Sequence, residues 1–400
     1  MTSTAEPGHE PGHEPVPETS THAVVVVEQI PFPASSSPDA ADAADAADAA
    51  DAADAPDTDD AAADYVAAVD LENAVRRAAI GSDELSWEPD EQLPHLLDEV
   101  HSDHRLFGVR EQGRLVAVGW YETRREGDAA TTAWLDVSVL PEARRRGHGT
   151  LLAEHLEQLA RAEGRTQVIA YVRSRGEGEP RLLPPTGAGS VPRENDEVRF
   201  LLARGWELGQ VMRCSRLQLP PDEEALGTVR ERARSAAGDA YRLHTWVGRS
   251  PERWVDDLAA LETRMSTDAP AGGLDEPEDV WTAERWRDEE ERSISGPRTR
   301  FTAVVEHVAS GRLVGFSQVE APADRARPAF QQDTLVLREH RGHRLGWLLK
   351  VATTDLLLAE RPGHPAVFTF NAEENRPMLD VNEAVGFVPF EHEGAWSKKL

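Results

Sequence analysis

Three blocks of this sequence occur twice in the same order. Gly113-Arg114-Leu115-Val116 matches Gly311-Arg312-Leu313-Val314, and from there Glu122 falls on Glu320. Further on, Val139, Arg144, Gly149, Leu151 and Leu152 fall on Val336, Arg341, Gly346, Leu348 and Leu349. Near each end Gly205-Trp206 falls on Gly386-Phe387. Any two α/β units share turn glycines and apolar strands, but matching order across three blocks argues for duplication. The chain has 400 residues, enough for two cores.

Composition sets the boundaries. Residues 1–21 form a Pro/Gly-rich tail around His9 and His13, and such histidines are more often solvated than bound to metal. The β-branched run from His22 to Ile30 reads as a strand, closed by Pro31 and Pro33. From Asp39 to Asp57 an Asp recurs every third residue among alanines, so 34–63 reads as an acidic low-complexity insert that supports no core. The first domain is therefore placed at 22–219, a linker with some helical character at 220–239, and the second domain at 240–400. Periodicity predicts a helix from Tyr65, another over 91–101, a hairpin over 105–122, a strand over 132–140, a helix over 148–163 and a strand over 167–173. A Pro/Gly/Arg-rich loop at 174–193 precedes the closing helix and strands, and the second unit repeats the order.

Charge excludes some functions. The net charge is -29, which disfavours nucleic acid and anionic membrane as partners. No apolar run approaches the roughly 20 residues of a membrane helix, and the N-terminus lacks the basic start of an export signal. Cys214 is the one cysteine, so neither an internal disulfide nor a cysteine-based metal site is available and plain packing is expected of it. A cytoplasmic protein with no metal is the expectation.

The chemistry lies in Leu135 to Leu152. An apolar strand runs into Arg144-Arg145-Arg146-Gly147-His148-Gly149-Thr150 and opens a helix. Glycines let backbone approach a ligand, and unpaired amides at a helix start favour a pyrophosphate. No Gly-Lys-Ser/Thr follows, so this is not a Walker loop, and the spacing is not that of the dinucleotide fingerprint. The Arg-x-x-Gly-x-Gly pattern after a strand and before a Leu-rich helix resembles the acyl-CoA loop of the GNAT superfamily of N-acyltransferases. In layout the tandem resembles mycothiol synthase, in which one copy does chemistry and the other has degenerated.

The resemblance implies an α/β fold: two tandem domains, each a mixed, splayed sheet with helices on both faces; a single continuous sheet across both halves would count against the duplication. It implies acetyl-CoA as cosubstrate, the loop amides on its pyrophosphate, and Val139 and Val336 offering backbone groups to the pantetheine. In the second copy the loop is Arg341-Gly342-His343-Arg344-Leu345-Gly346, with Arg344 where the first glycine should stand. There Arg344 either crowds the phosphate or adds a positive contact to it. Asn375 matches the family's closing Asn, whereas Asn195 lies one position out of register. Glu122 and Glu320 are read as ending the fourth strands, where the family often places its base. The usual acid, a Tyr before the Gly-aromatic pair, is replaced by Leu201 and Asn382. Asp268 and Asp275 sit where the family builds its acceptor site.

The leading expectation is acetyl transfer to a primary amine of a small molecule, with Glu320 as base of an active second copy and the first copy binding CoA for structure. A non-catalytic acyl-CoA-binding regulator and a protein N-acetyltransferase are the alternatives.

Overall fold

A computed structural model describes residues 26–33, 58–97, 100–125, 131–174, 178–268, 270–274 and 278–400. The tail, most of the acidic insert and Asp275 lie outside the described residues.

Each half begins with the same run of elements. In the first, strand β1 (Val27–Ile30) precedes helices α1 (Thr58–Ile80) and α2 (Pro89–Leu96), the hairpin β2 (Ser102–Glu111) and β3 (Arg114–Arg124), then β4 (Thr132–Val139), α3 (His148–Ala162) and β5 (Gln167–Ser174). A short hairpin, β6 (Arg181–Leu182) and β7 (Val191–Pro192), interrupts the expected loop before α4 (Asp196–Ala203) and β8 (Glu207–Gln218). The supposed linker is a helix, α5 (Glu223–Ala237), whose Leu226, Val229, Ala233 and Ala237 are buried. It belongs to the second half's core rather than to a tether. The second half follows with β9 (Tyr241–Val247), α6 (Val255–Asp268), α7 (Ala283–Ser295), β10 (Arg298–His307), β11 (Arg312–Pro322), β12 (Ala329–Val336), α8 (Leu345–Glu360), β13 (Ala366–Ala372), α9 (Arg376–Val385) and β14 (Val388–Lys399). Strand β11 is buried from Leu313 to Pro322 without alternation, because helices cover both faces of the sheet.

Separate sheets were expected, and this is corrected: twelve strands form one sheet, in the order β1-β2-β3-β4-β5-β14-β8-β13-β12-β11-β10-β9. The order is the same from either end once each strand is replaced by its counterpart. Continuity arises because the halves exchange their last strands. Strand β14 pairs with β5 from Gln167 to Ser174, and β8 pairs with β13 from Ala366 to Ala372. Burial follows the exchange: Trp396 of β14 sits in the first half's core and Leu217 of β8 in the second's. The duplication thus survives as a pseudo-twofold within one sheet. Cys214, on β8, is buried at this seam, where burial pushes its thiol up.

The same pairing opens the sheet. Parallel strands β4 and β5 pair only over Thr132–Trp134, and β12 and β13 only at Ala329 and Phe330. Beyond those points each pair parts, leaving a gap beside Leu135–Val139 and beside Gln332–Val336.

Candidate active site

Each gap ends at one of the two loops. Helix α3 starts at His148 with Gly147 as its N-cap at φ +93°, and Arg145 is also left-handed at φ +65°. In the second half Gly342 is at φ +90° and Arg344, the N-cap of α8, at φ +54°. Both loops therefore hold the same two left-handed positions, with Gly and Arg exchanged between them. Arg344 does not break the loop; its guanidinium turns aside over the Trp347 ring, 4.4 Å from the centroid. Neither helix start has a side-chain cap, so the amides of its first turn face outward under a positive dipole. Glu111 steadies the first loop through Arg146 at 2.7 Å and the buried His148 at 2.8 Å.

The strand before each loop also presents backbone to the gap. Val139 lies opposite Ala117, and the Leu140 amide donates to the Val116 carbonyl. This is the non-hydrogen-bonded register, in which the Val139 N–H and C=O point away from β3. Val336, opposite Gly315 with Leu337 donating to Val314, is placed identically. Arg144 and Arg341 each donate from Nε to that Val carbonyl, at 3.2 and 3.1 Å.

A cavity of about 530 Å³ opens at the far end of the first gap. Its walls come from both halves: Trp134 and Asp136 of β4 and Tyr171 of β5 on one side, Glu262 of α6, Trp281 and Asp333 of β12 on the other. Arg124 spans the seam, 3.3 Å from Asp279 and over the Trp134 ring. Among its walls the cavity carries more carboxylates than cations.

Two carboxylate pairs dominate the electrostatics, and sequence reading missed both. Glu72 of α1 faces Asp136, and Glu262 faces Asp333 in the corresponding place. Burial pushes Glu72 up to about 8, with the Asp136 charge adding to it and Arg76 opposing. Asp136 is raised as well, chiefly by burial within the cavity, although its side chain is exposed to the cavity space. Burial and the Asp333 charge likewise lift Glu262 well above the usual range, and Asp333 is raised by burial. Each pair favours sharing a proton over carrying two charges.

The comparisons agree with this geometry. The family profile described as Acetyltransferase (GNAT) family matches residues 70–178, wholly within the first half. A tandem GNAT protein from the clavulanic acid biosynthesis pathway is 26% identical, with 84% of this chain and 95% of that chain covered at a TM-score of 0.63. The first half thus carries a GNAT acetyltransferase domain, and the chain as a whole is similar to a tandem GNAT protein. A GCN5-related N-acetyltransferase from Sphaerobacter thermophilus shares the fold at 16% identity, covering 84% of this chain and 93% of that chain with a TM-score of 0.54. No curated protein sequence matches.

Set on this tandem GNAT frame, several expected residues change place. Glu122 and Glu320 lie on β3 and β11, the third strand of each half, not the fourth. The carboxylates on the fourth strands are Asp136 and Asp333. Glu122 does line the cavity. Glu320 is held instead by Arg300 at 2.8 Å, Ser293 at 3.3 Å and Gln332 at 3.3 Å, which ties α7 to neighbouring strands β10, β11 and β12. Asn375 is the N-cap of α9, accepting from the Met378 amide at 3.4 Å, and Asn195 is the N-cap of α4. The two Asn are therefore structurally equivalent despite the one-residue offset. Asp268 is turned from the cavity and paired with Arg264 and with Arg341 of the second loop, while Met265 and Ser266 line the wall. The Asn382 amide donates to Asn371 at 2.6 Å, and Tyr121 donates to Glu163 at 2.7 Å. Tyr171 is the tyrosine that reaches the cavity. Among the described residues no group of His, Cys, Asp and Glu is arranged to hold a metal, and no helix is long and apolar enough to cross a membrane.

Proposed function

We propose that the first half transfers an acyl group, acetyl in the simplest case, from acyl-CoA to a primary amine of a small molecule held in the cavity. One observation carries this reading. Asp136 stands on the fourth strand just past the point where β4 leaves β5, on the cavity wall and near enough to Glu72 for its charge to raise that carboxyl. A carboxylate with a raised affinity for protons, beside the gap that the loop guards, suits the base that an ammonium acceptor needs.

The donor, when bound, supplies an activated thioester. The amides of Gly147, His148, Gly149 and Thr150 and the exposed Arg145 face its pyrophosphate, and Val139 faces its pantetheine arm. Asp136 takes the proton of the acceptor ammonium. The freed nitrogen forms the amide bond as the carbon–sulfur bond breaks, and the thiolate takes a proton. Tyr171 is the phenol on the cavity wall able to supply it. The carboxylates of Glu122, Glu262 and Asp333 favour a cationic acceptor, and walls drawn from both halves favour a small molecule over a protein segment.

Thiol release from acetyl-CoA across a panel of small amines tests the reading. Turnover is expected with at least one amine, and Asp136→Asn should lower kcat by about 10²–10⁴-fold while CoA still binds. Unchanged turnover in that variant overturns the assignment. The regulator reading, favoured by Leu201 and Asn382 at the usual acid position, requires CoA binding without thiol release for every amine.

A further inference from the structure

Lysine is rare in this chain, which has only Lys350, Lys398 and Lys399. Lys350 is 1% exposed, in the middle of the second loop's helix α8. The register that sets Gly149 on Gly346 and Leu152 on Leu349 sets Ala153 on Lys350. The first half thus has a methyl group where the second has a long amine.

The amine occupies a defined place. Its Nζ lies 5.3 Å from the centroid of the Phe387 ring, the aromatic of the Gly-aromatic pair that opens β14. The carboxylate whose charge it feels is Asp333 on β12. Strand β12 parts from β13 at Phe330, and Asp333 stands three residues beyond on the open side. Phe387 lies next to Val388, which pairs with Arg216 of β8, the strand that carries β13 on its other edge. An amine that lies over Phe387 and feels the Asp333 charge is directed toward the side on which the two strands part. Burial pulls the amine down to about 7, so it sits there without a full charge to be solvated.

We propose that Lys350 fills the second gap and keeps acyl-CoA out of it, so that the chain takes one acyl-CoA, in the first half. The inference rests on acyl-CoA being the donor and on the first gap being its site. The second loop keeps the backbone of an anion site, and this makes the gap, not the loop, the point of exclusion. Arg341, tied to Asp268, then serves to hold α6 against the loop.

Calorimetry with CoA reads the stoichiometry. The wild-type chain should bind one CoA. Lys350→Ala and Lys350→Ser, each checked for an intact fold by circular dichroism, should bind two, and Ala153→Lys should bind none. Two CoA in the wild type, or one in a folded Lys350 variant, overturns the proposal. If both Lys350 variants fail to fold, the wild-type count and loss of binding in folded Ala153→Lys decide it: retained binding there overturns it. None in the wild type but one in Lys350→Ala would support the plug while overturning the first-gap reading. None in either would overturn both.

Discussion

Arg344 occupies in the second half the position that Gly147 occupies in the first, and both hold the left-handed backbone conformation. A side chain there costs roughly 1–2 kcal/mol. Arg344 offsets part of this by lying over Trp347, a contact worth about 0.5–1 kcal/mol at an exposed site. A Cβ added at Gly147 would meet nothing within 4 Å, so the cost of Gly147→Ala is conformational alone. Urea unfolding of Gly147→Ala should show a loss of about 1 kcal/mol. Arg344→Gly should lie within about 0.5 kcal/mol of wild type, because relieved strain is balanced by the lost contact and by the extra freedom of unfolded glycine. A clear gain in stability for Gly147→Ala would contradict the backbone described.

Glu320 separates structure from chemistry. It is 8% exposed and paired with Arg300, which also reaches Glu289 at 3.1 Å. Glu320→Gln removes one of two partners from a buried cation, at a cost of about 3 kcal/mol, the low end for a broken buried pair. Turnover per folded molecule should stay within about threefold of wild type, since a base is worth far more. A fall of 10²-fold or more, with CoA binding intact, would return the base to the second half.

These assignments show which parts of the molecule were legible beforehand. The loops were, because an anion site at a helix start demands glycine freedom at fixed spacing, and that spacing is local. Most elements followed from periodicity. The exchange of β8 and β14 was not legible: two diverged copies have last strands that fit either gap, and no local pattern records which neighbour a strand chooses. The carboxylate pairs were missed although a signal existed. The register that aligned Val139 with Val336 also aligns Asp136 with Asp333, and Leu71-Glu72 has its counterpart in Leu261-Glu262. What was lacking is the packing of α1 and α6 over the sheet. Glu122 and Glu320 were misplaced by counting: each ends the third strand of its half, after β1 and β2 or after β9 and β10.

Glu72 gives the chain a pH dependence of known sign. Its carboxyl lies at about 8 in the folded chain against 4.5 as an open group. Between those values the folded state keeps a proton that the unfolded state releases. The stability it supports is complete below 4.5 and is lost as pH rises through 8. Lys350, lowered from 10.5 to about 7, acts oppositely: its contribution is present above 10.5 and is lost as pH falls through 7. The difference between two titrations isolates Glu72. From pH 5 to 9 the Tm of the wild type should fall relative to that of Glu72→Gln. Parallel curves would mean that Glu72 does not hold its proton in the folded chain.

The strand exchange makes the first half depend on the last residues of the second. Strand β14 lies between β5 and β8, and it brings Trp396, fully buried, into the first half's core. Ending the chain after Phe387 leaves β5 with a bare edge, exposes that core and removes the strand that joins β5 to β8. No surface strand replaces these pairings, and a long unpaired apolar edge favours association with other chains. The two halves should therefore unfold together. Calorimetry of the full chain should show one transition whose van't Hoff and calorimetric enthalpies agree, although chains of this length often unfold in steps. The chain ending at Phe387 should lose first-half CoA binding and aggregate, even though every residue of the first loop and of Asp136's strand is present. Two resolved transitions in the full chain, or a soluble truncated chain that binds CoA normally, would show that each half closes its own sheet.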